Sequence, residues 1–274
     1  MSNVKNWLLR GDTHGNFIWM ANGCLDNYAP EETAIIILGD AGFDFYLNKT
    51  DLRKKKEVDA RGYYIYWLRG NHEARPCDVD GYKLIYDPEV KGYVWCDERF
   101  PHLRALKDYG IYQFGKYTAA VVGGAYSVDK HWRLERAGLT EKTNDPKKSG
   151  WFYNEQLTTD EMHNAELTLT GKKVDFFFSH TCSYSWRPVD MFLPSVNQST
   201  VDNTMELWLD KLKDKFVWNI ACFGHYHADR LERPHVEQYY NDIENLDAIV
   251  QRWEEYDETG YLDWFISKSP NFYT

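Results

Sequence analysis

Residues 66–73 read Y-W-L-R-G-N-H-E. Tyr66, Trp67 and Leu68 make the end of an apolar strand. Gly70 then lets the backbone turn with no Cβ in the way. Asn71, His72 and Glu73 follow side by side, at the strand end where open α/β sheets place their ligands. The same design recurs on either side. Residues 7–9 are apolar and run into Arg10-Gly11-Asp12-Thr13-His14-Gly15, and residues 34–38 run into Gly39-Asp40-Ala41-Gly42. Later, residues 174–178 end in Ser179-His180, and residues 216–223 end in Gly224-His225-Tyr226-His227. The chain makes sense as five loops aimed at one point.

Between these strands, residues 17–28 carry apolar side chains at helical spacing (Phe17, Met20, Ala21, Cys24, Leu25). Residues 48–60 are charged and helix-prone, and their Arg53-Lys54-Lys55-Lys56 run reads as a solvated face. The first 75 residues are therefore β-α-β-α-β, which predicts parallel pairing through right-handed crossovers. Residues 82–86, 92–96 and 109–114 look like hairpin material, and residues 117–126 return to a core strand. A polar surface excursion is expected over 127–150. Helices are expected over 154–167, capped by Thr158 or Thr159, and over 200–213. The tail offers an edge strand near 239–243 and a helix around 247–256. The reading is a single domain over residues 1–274, with an aromatic-rich insert at about 74–115 and a C-terminal extension at about 230–274.

Composition narrows the partners. A net charge of -10 argues against long nucleic acid, which asks for a basic face. No apolar run approaches the roughly 20 residues of a membrane span. Residues 1–6 are polar and lead straight into a strand, so no secretory leader is expected. The five cysteines are odd in number and form no C-x-x-C pair, which fits reduced thiols in the cytoplasm.

The strand ends carry Asp12 and His14, Asp40, Asn71 and His72, His180, and His225 and His227. Five of the nine histidines fall in these loops. Imidazole and carboxylate are natural ligands of first-row divalent metals. In D-x-H and H-x-H the two side chains can face one ion from an extended segment. A strand-end carboxylate can bridge two ions, and an amide such as Asn71 offers a carbonyl oxygen. Eight converging groups justify two ions more easily than one. Each loop alone has a plain structural explanation as a turn or a cap, and His102, His131, His163 and His235 read as ordinary histidines. The case rests on the ordered set.

That set, D-x-H-G, G-D, G-N-H-E, H and G-H-x-H over residues 7–227, resembles the calcineurin-like metallophosphoesterase superfamily. The resemblance implies an α/β fold: a double-sheet β-sandwich flanked by helices, the parallel start feeding one sheet and later strands building the second. It implies that Asp12, His14 and His227 hold one metal and Asn71, His180 and His225 a second, with Asp40 bridging. His72 would be the catalytic histidine that binds no metal. The implied chemistry is in-line attack on phosphorus by a hydroxide held between two ions, with His72 protonating the leaving oxygen. Manganese, iron, zinc and nickel all accept this donor set, manganese being favoured.

Leu68 to Glu73 looks like the Ser/Thr protein phosphatase branch, yet the G-D-x-x-D-R-G block of that branch is absent after Asp40. Gly-His-Tyr-His is the form common among phosphodiesterases. The stretch from Gly124-Ala125-Tyr126-Ser127 through Trp151 and Glu155 looks more like bacterial and phage phosphoesterases, with the subfamily unassigned. The substrate expected is a small phosphomonoester or phosphodiester such as a nucleotide; Tyr82, Tyr93, Trp95 or Tyr126 are candidates to stack on its base, against the commoner packing role of aromatics in hairpins. Arg75 is a candidate phosphate clamp, against a surface salt bridge, and Asp12 or Asp44 a candidate orienter of His72. The alternatives are a protein phosphatase, a nuclease of the same superfamily, or a silent scaffold. Oligomeric state is not legible.

Overall fold

Alternate side chains of each apolar run face opposite layers, and that alternation builds the molecule. The computed structural model describes residues 4–194 and 196–259. In chain order the elements are β1 (Asn6–Arg10), β2 (Thr33–Ile37), α1 (Lys49–Asp59), β3 (Tyr64–Trp67), β4 (Tyr82–Asp87), β5 (Gly92–Asp97) and β6 (Leu103–Leu106). Next come β7 (Tyr109–Phe114), β8 (Tyr117–Val122), α2 (Lys130–Arg136), α3 (Pro146–Ser149), α4 (Thr159–Leu169), β9 (Phe176–Ser179) and α5 (Thr204–Leu212). The last are β10 (Ile220–Phe223), β11 (Arg230–Arg233), β12 (Val236–Gln238), β13 (Ile243–Asn245) and α6 (Leu246–Thr259).

One sheet runs β13-β1-β2-β3-β6-β5-β4 and the other β11-β12-β10-β9-β8-β7. In the first, β1, β2, β3 and β6 are parallel; in the second, β8, β9, β10 and β12 are parallel. Antiparallel strands close the edges of both. Leu9, Ile36, Leu38 and Tyr66 face Phe114, Val121, Phe176 and Phe178 between the sheets. Their neighbours Leu8, Ile35, Ile37 and Trp67 face outward onto Phe17, Phe43 and Val58. On the far side, Ala120, Val122, Phe177 and Phe223 lie under α4 and α5. Strands covered on both faces need continuous apolar runs, which is why residues 34–38 and 174–178 read as they do. Parallel central strands also put every carboxyl end at one rim. The five loops open there.

The parallel pairing of β1, β2 and β3 and the double-sheet sandwich both stand as expected. Several local expectations do not. Residues 17–28 make only a 3₁₀ turn at Ile18–Ala21, because Gly23 takes a positive φ of 85° and no side chain caps the start. The basic run in α1 is not wholly solvated: Lys55 is 2% exposed and bonds Asp44, while Lys54 Nζ donates to the Gly42 carbonyl at 2.6 Å. In the 74–115 region, β4 and β5 do form a hairpin. Between them and the core lies β6, parallel to β3, which the sequence reading passed over. This hairpin therefore extends the first sheet away from the rim instead of walling the site. Residues 230–259 complete both sheets with β11, β12 and β13 and add α6, whose Trp253 reaches the inter-sheet core. Residues 1–3 and 260–274, the ends of the expected single domain and of its C-terminal extension, lie outside the described residues.

Candidate metal centre

Two buried carboxylates anchor the site, and each is half spent. Asp12 Oδ1 accepts the His225 backbone N–H at 2.9 Å, and Asp40 Oδ1 accepts the His72 backbone N–H at 2.7 Å. The second oxygen of each is buried with no hydrogen-bond donor. Asp12 Oδ2 faces His227 Nε2 at 3.3 Å and His14 Nε2 at 3.6 Å. Asp40 Oδ2 faces His180 Nε2 at 3.5 Å and His14 Nδ1 at 3.9 Å. The Nε2 atoms of His14 and His227 stand 2.9 Å apart, so two ring nitrogens converge on nearly the same place.

Donor atoms converge in two groups, Asp12 with His14 and His227, and Asp12 with Asp40 and His180. Nδ1 of His180 donates to the Leu38 carbonyl at 2.8 Å, which turns Nε2 inward. Asn71 Oδ1 lies 2.9 Å from that Nε2. The His225 ring stands 5.0 Å from the His180 ring, beside these groups and outside them. His72 is half-buried, its ring 5.5 Å from that of His14, and Nδ1 has no partner.

Electrostatics say what the site wants. Burial favours neutral forms, yet Asp40 and Asp12 outweigh it and push the His180 imidazole up to about 9. The same partnership holds Asp12 and Asp40 below the ordinary carboxylate range, although burial opposes it. Burial and the neighbouring His180 drive His225 down to about 3. Burial also lowers His72, with Asp40 pulling the other way. Orphaned anionic oxygens in a dry pocket are costly unless a cation meets them, and inward-facing imidazoles are its natural co-ligands. The residues fit divalent metal.

The loops pay for this geometry in strain. Of the non-glycine residues at positive φ, His14, Asp40, His225 and His227 (46°, 49°, 70° and 56°) all belong to the site. Glycine makes the room. A Cβ on Gly70 would meet Asp40 Oδ1 at 2.0 Å, and one on Gly224 would meet Asp12 Oδ1 at 2.3 Å. Glu73 ties loops together, accepting N–H groups from Gly70 at 3.1 Å and Gly42 at 3.2 Å. It is a brace, and burial raises it to about 8.

Two candidates move out of the site. The Arg75 guanidinium is taken up by Asp108 at 3.0 Å, by Glu161, and by the carbonyls of Asn154 and Gln156, so it has no donors left for a phosphate. Asp44 is buried against Lys55 at 2.5 Å and the Tyr82 hydroxyl at 2.8 Å, so it orients that pair and leaves His72 to Asp40. That bond also removes Tyr82 as a stacking platform. Tyr93 packs on Tyr86 at the outer hairpin, and Trp95 packs against the outer core of the first sheet. Tyr126 does line the cavity beside the site.

Other functional neighbours escaped the sequence reading. Asn71 Nδ2 donates to Ser127 Oγ at 2.9 Å, and Ser127 bonds Glu155 through its N–H at 3.0 Å and its hydroxyl at 2.5 Å. This relay aims the Asn71 carbonyl oxygen at His180. Tyr240 stacks on His227 at 4.8 Å. Residues 187–193 and 196–203, which carry no periodic pattern, form the cavity's other wall. Only the contacts reveal these roles.

The chain belongs to the calcineurin-like phosphoesterase family, whose profile matches residues 8–251. It is accordingly a metal-dependent phosphoester hydrolase. No curated protein matches the sequence. One solved crystal structure aligns with 89% of this chain and 95% of its own at 10% identity and a TM-score of 0.46, too remote to carry an argument. No helix among the described residues is long and apolar enough to cross a membrane.

Proposed function

We propose that the chain hydrolyses a small phosphoester at a dinuclear centre, with manganese the favoured ion and iron, zinc or nickel the alternatives. Asp12, His14 and His227 would hold the first ion; Asn71, His180 and His225 the second; Asp40 would serve both. The observation that carries this reading is the pair of donorless buried oxygens, Asp12 Oδ2 and Asp40 Oδ2, each facing imidazole nitrogens. Bound divalent ions supply an activated water and neutralise charge on the phosphoryl oxygens.

The chain's own residues do the rest. His72 is held by its backbone N–H on Asp40 and lines the cavity, where its imidazole can deliver a proton to the leaving oxygen. Asn71, aimed by Ser127 and Glu155, fixes the position of a carbonyl oxygen. His180, tied to Leu38, keeps one nitrogen turned inward. Among the described residues, nothing basic lines the cavity apart from Arg187 and the histidines, which favours a small substrate over a polyanion. Free cysteines, two of them exposed, support a cytoplasmic setting.

Metal analysis of gently purified protein, paired with turnover of bis-p-nitrophenyl phosphate in manganese, tests the reading. About two ions per chain with turnover is the expected result. No metal retained even after manganese is supplied would overturn it.

A further inference from the structure

The metal centre opens onto a cavity of about 470 Å³, a size that suits a small molecule. Asp40, Asn71, His72, His225 and His227 form one end of it. The other end comes from residues 187–193 and 196–203 and the start of α5. Val128, Met191, Phe192, Val196 and Val201 make an apolar wall, with Phe192 stacked on Tyr226 at 6.2 Å and 17°.

Polar groups interrupt that wall, Glu206, Arg187 and Asn203 among them, with Gln198 and Asp129 also in the lining. Glu206 is 4% exposed; its Oε1 accepts the Thr181 hydroxyl at 2.9 Å, and its Oε2 is buried with no partner. Arg187 lies 3.5 Å over the Tyr184 ring, donating Nη1 to Asn203 Oδ1 at 2.6 Å. Asn203 in turn donates to the Val201 carbonyl at 3.1 Å.

These features discriminate among occupants. A second phosphate would face Glu206 and Asp129 with Arg187 as its single arginine or lysine contact. A plain alkyl or aryl group would leave the Glu206 oxygen without a donor. A sugar would face apolar side chains with its hydroxyls. A flat heterocycle bearing N–H groups meets both demands, its faces on Phe192 and its donor edge toward Glu206.

We infer that Arg187, Phe192, Asn203 and Glu206 shape a nucleobase pocket, so that the phosphoester whose hydrolysis is proposed above is a nucleotide or nucleotide ester held by its base. The inference rests on that reading for the phosphate end only. It also moves base recognition from the hairpin residues Tyr82, Tyr93 and Trp95 to the cavity that Tyr126 and Phe192 line.

The test uses the full-length chain supplied with manganese and the four common ribonucleosides, which carry no phosphate to be cleaved. Calorimetric titration should show binding of at least one nucleoside. Phe192→Ala and Glu206→Gln should each weaken that binding about tenfold. Phe192 is half-buried, so its truncation decides the matter if the Glu206 variant fails to fold. If no nucleoside binds while bis-p-nitrophenyl phosphate is still hydrolysed, the pocket is refuted and the phosphoesterase reading stands. Equal binding to wild type and both folded variants refutes it too. Nucleoside binding lost in the variants, in a chain that hydrolyses no phosphoester, supports the pocket and overturns the reaction.

Discussion

At the scale of single residues, the site is a set of atoms whose first hydrogen bond is satisfied and whose second is missing. Asp12 and Asp40 each spend one oxygen on a backbone N–H and keep the other for a cation. Asp40→Asn removes the negative charge at that point and should abolish both metal retention and turnover, read by metal analysis and by assay. His72→Asn should behave differently. It should keep its metal yet lose about 10²- to 10⁴-fold in kcat, since a general acid is removed and no donor to the ion is. Loss of metal in that variant would place His72 among the ligands. Arg75 offers a third contrast. Its ion pairs with Asp108 and Glu161 are largely buried, so Arg75→Met should cost about 3 kcal/mol of stability and leave KM unchanged. A raised KM with unchanged thermal unfolding would return Arg75 to the substrate site.

At the scale of elements, the relay from Glu155 through Ser127 to Asn71 joins the loop before α4 to the loop after β3. Ser127→Ala should leave the sheets intact and weaken metal binding about 10- to 100-fold, the usual effect of removing a group that orients a ligand. A metal titration reads this directly. Glu155 also gives a pH dependence. Burial raises its carboxyl from 4.5 to about 7, with Ser127 and Lys130 opposing. Between those two values the folded chain binds more protons than the unfolded chain, so this group's contribution to stability is complete below pH 4.5 and lost as pH rises through about 7. Glu155→Gln should flatten that decline in denaturant titrations. Glu161 has the opposite sign. Burial would raise it, but Arg75 and the Thr158 cap hold it down near 2. Its contribution is present above pH 4.5 and fades as pH falls toward 2.

At the scale of the molecule, two sheets with four parallel strands apiece deliver all five loops to one rim, so the site exists only when both sheets are docked. Metal should therefore stabilise the whole chain. An ion at about 100 times its Kd adds about 2.7 kcal/mol, which at this chain length is roughly 5–10 °C in Tm. Scanning calorimetry with manganese and with a chelator measures that difference, and equal Tm values would separate the ions from the fold. The net charge of -10 bears on substrate size. Hydrolysis of a small phosphoester should change little between 50 and 200 mM salt, whereas a nuclease contacting several phosphates loses affinity steeply.

Sequence alone determined the loops and their contents. Apolar runs buried on both faces, ended by glycine and then by carboxylate, amide or imidazole, declare themselves locally, because strand burial and metal ligation each restrict the residue types allowed. The parallel order of β1, β2 and β3 followed from the same alternation. Tertiary structure decided what surrounds those loops. Arg75 and Asp44 sit close in sequence to the catalytic stretch, but their partners Asp108, Glu161 and Lys55 come from elsewhere in the fold and claim them. Tyr240 and Glu206 carry no motif, and the stretch holding Ser127 and Glu155 offered only a family likeness and no role, since a hydrogen-bond relay or a cavity wall constrains position in space and leaves spacing along the chain free. The candidate ligands were legible because metal chemistry narrows identity, and the pocket was not because shape is assembled only when distant segments pack.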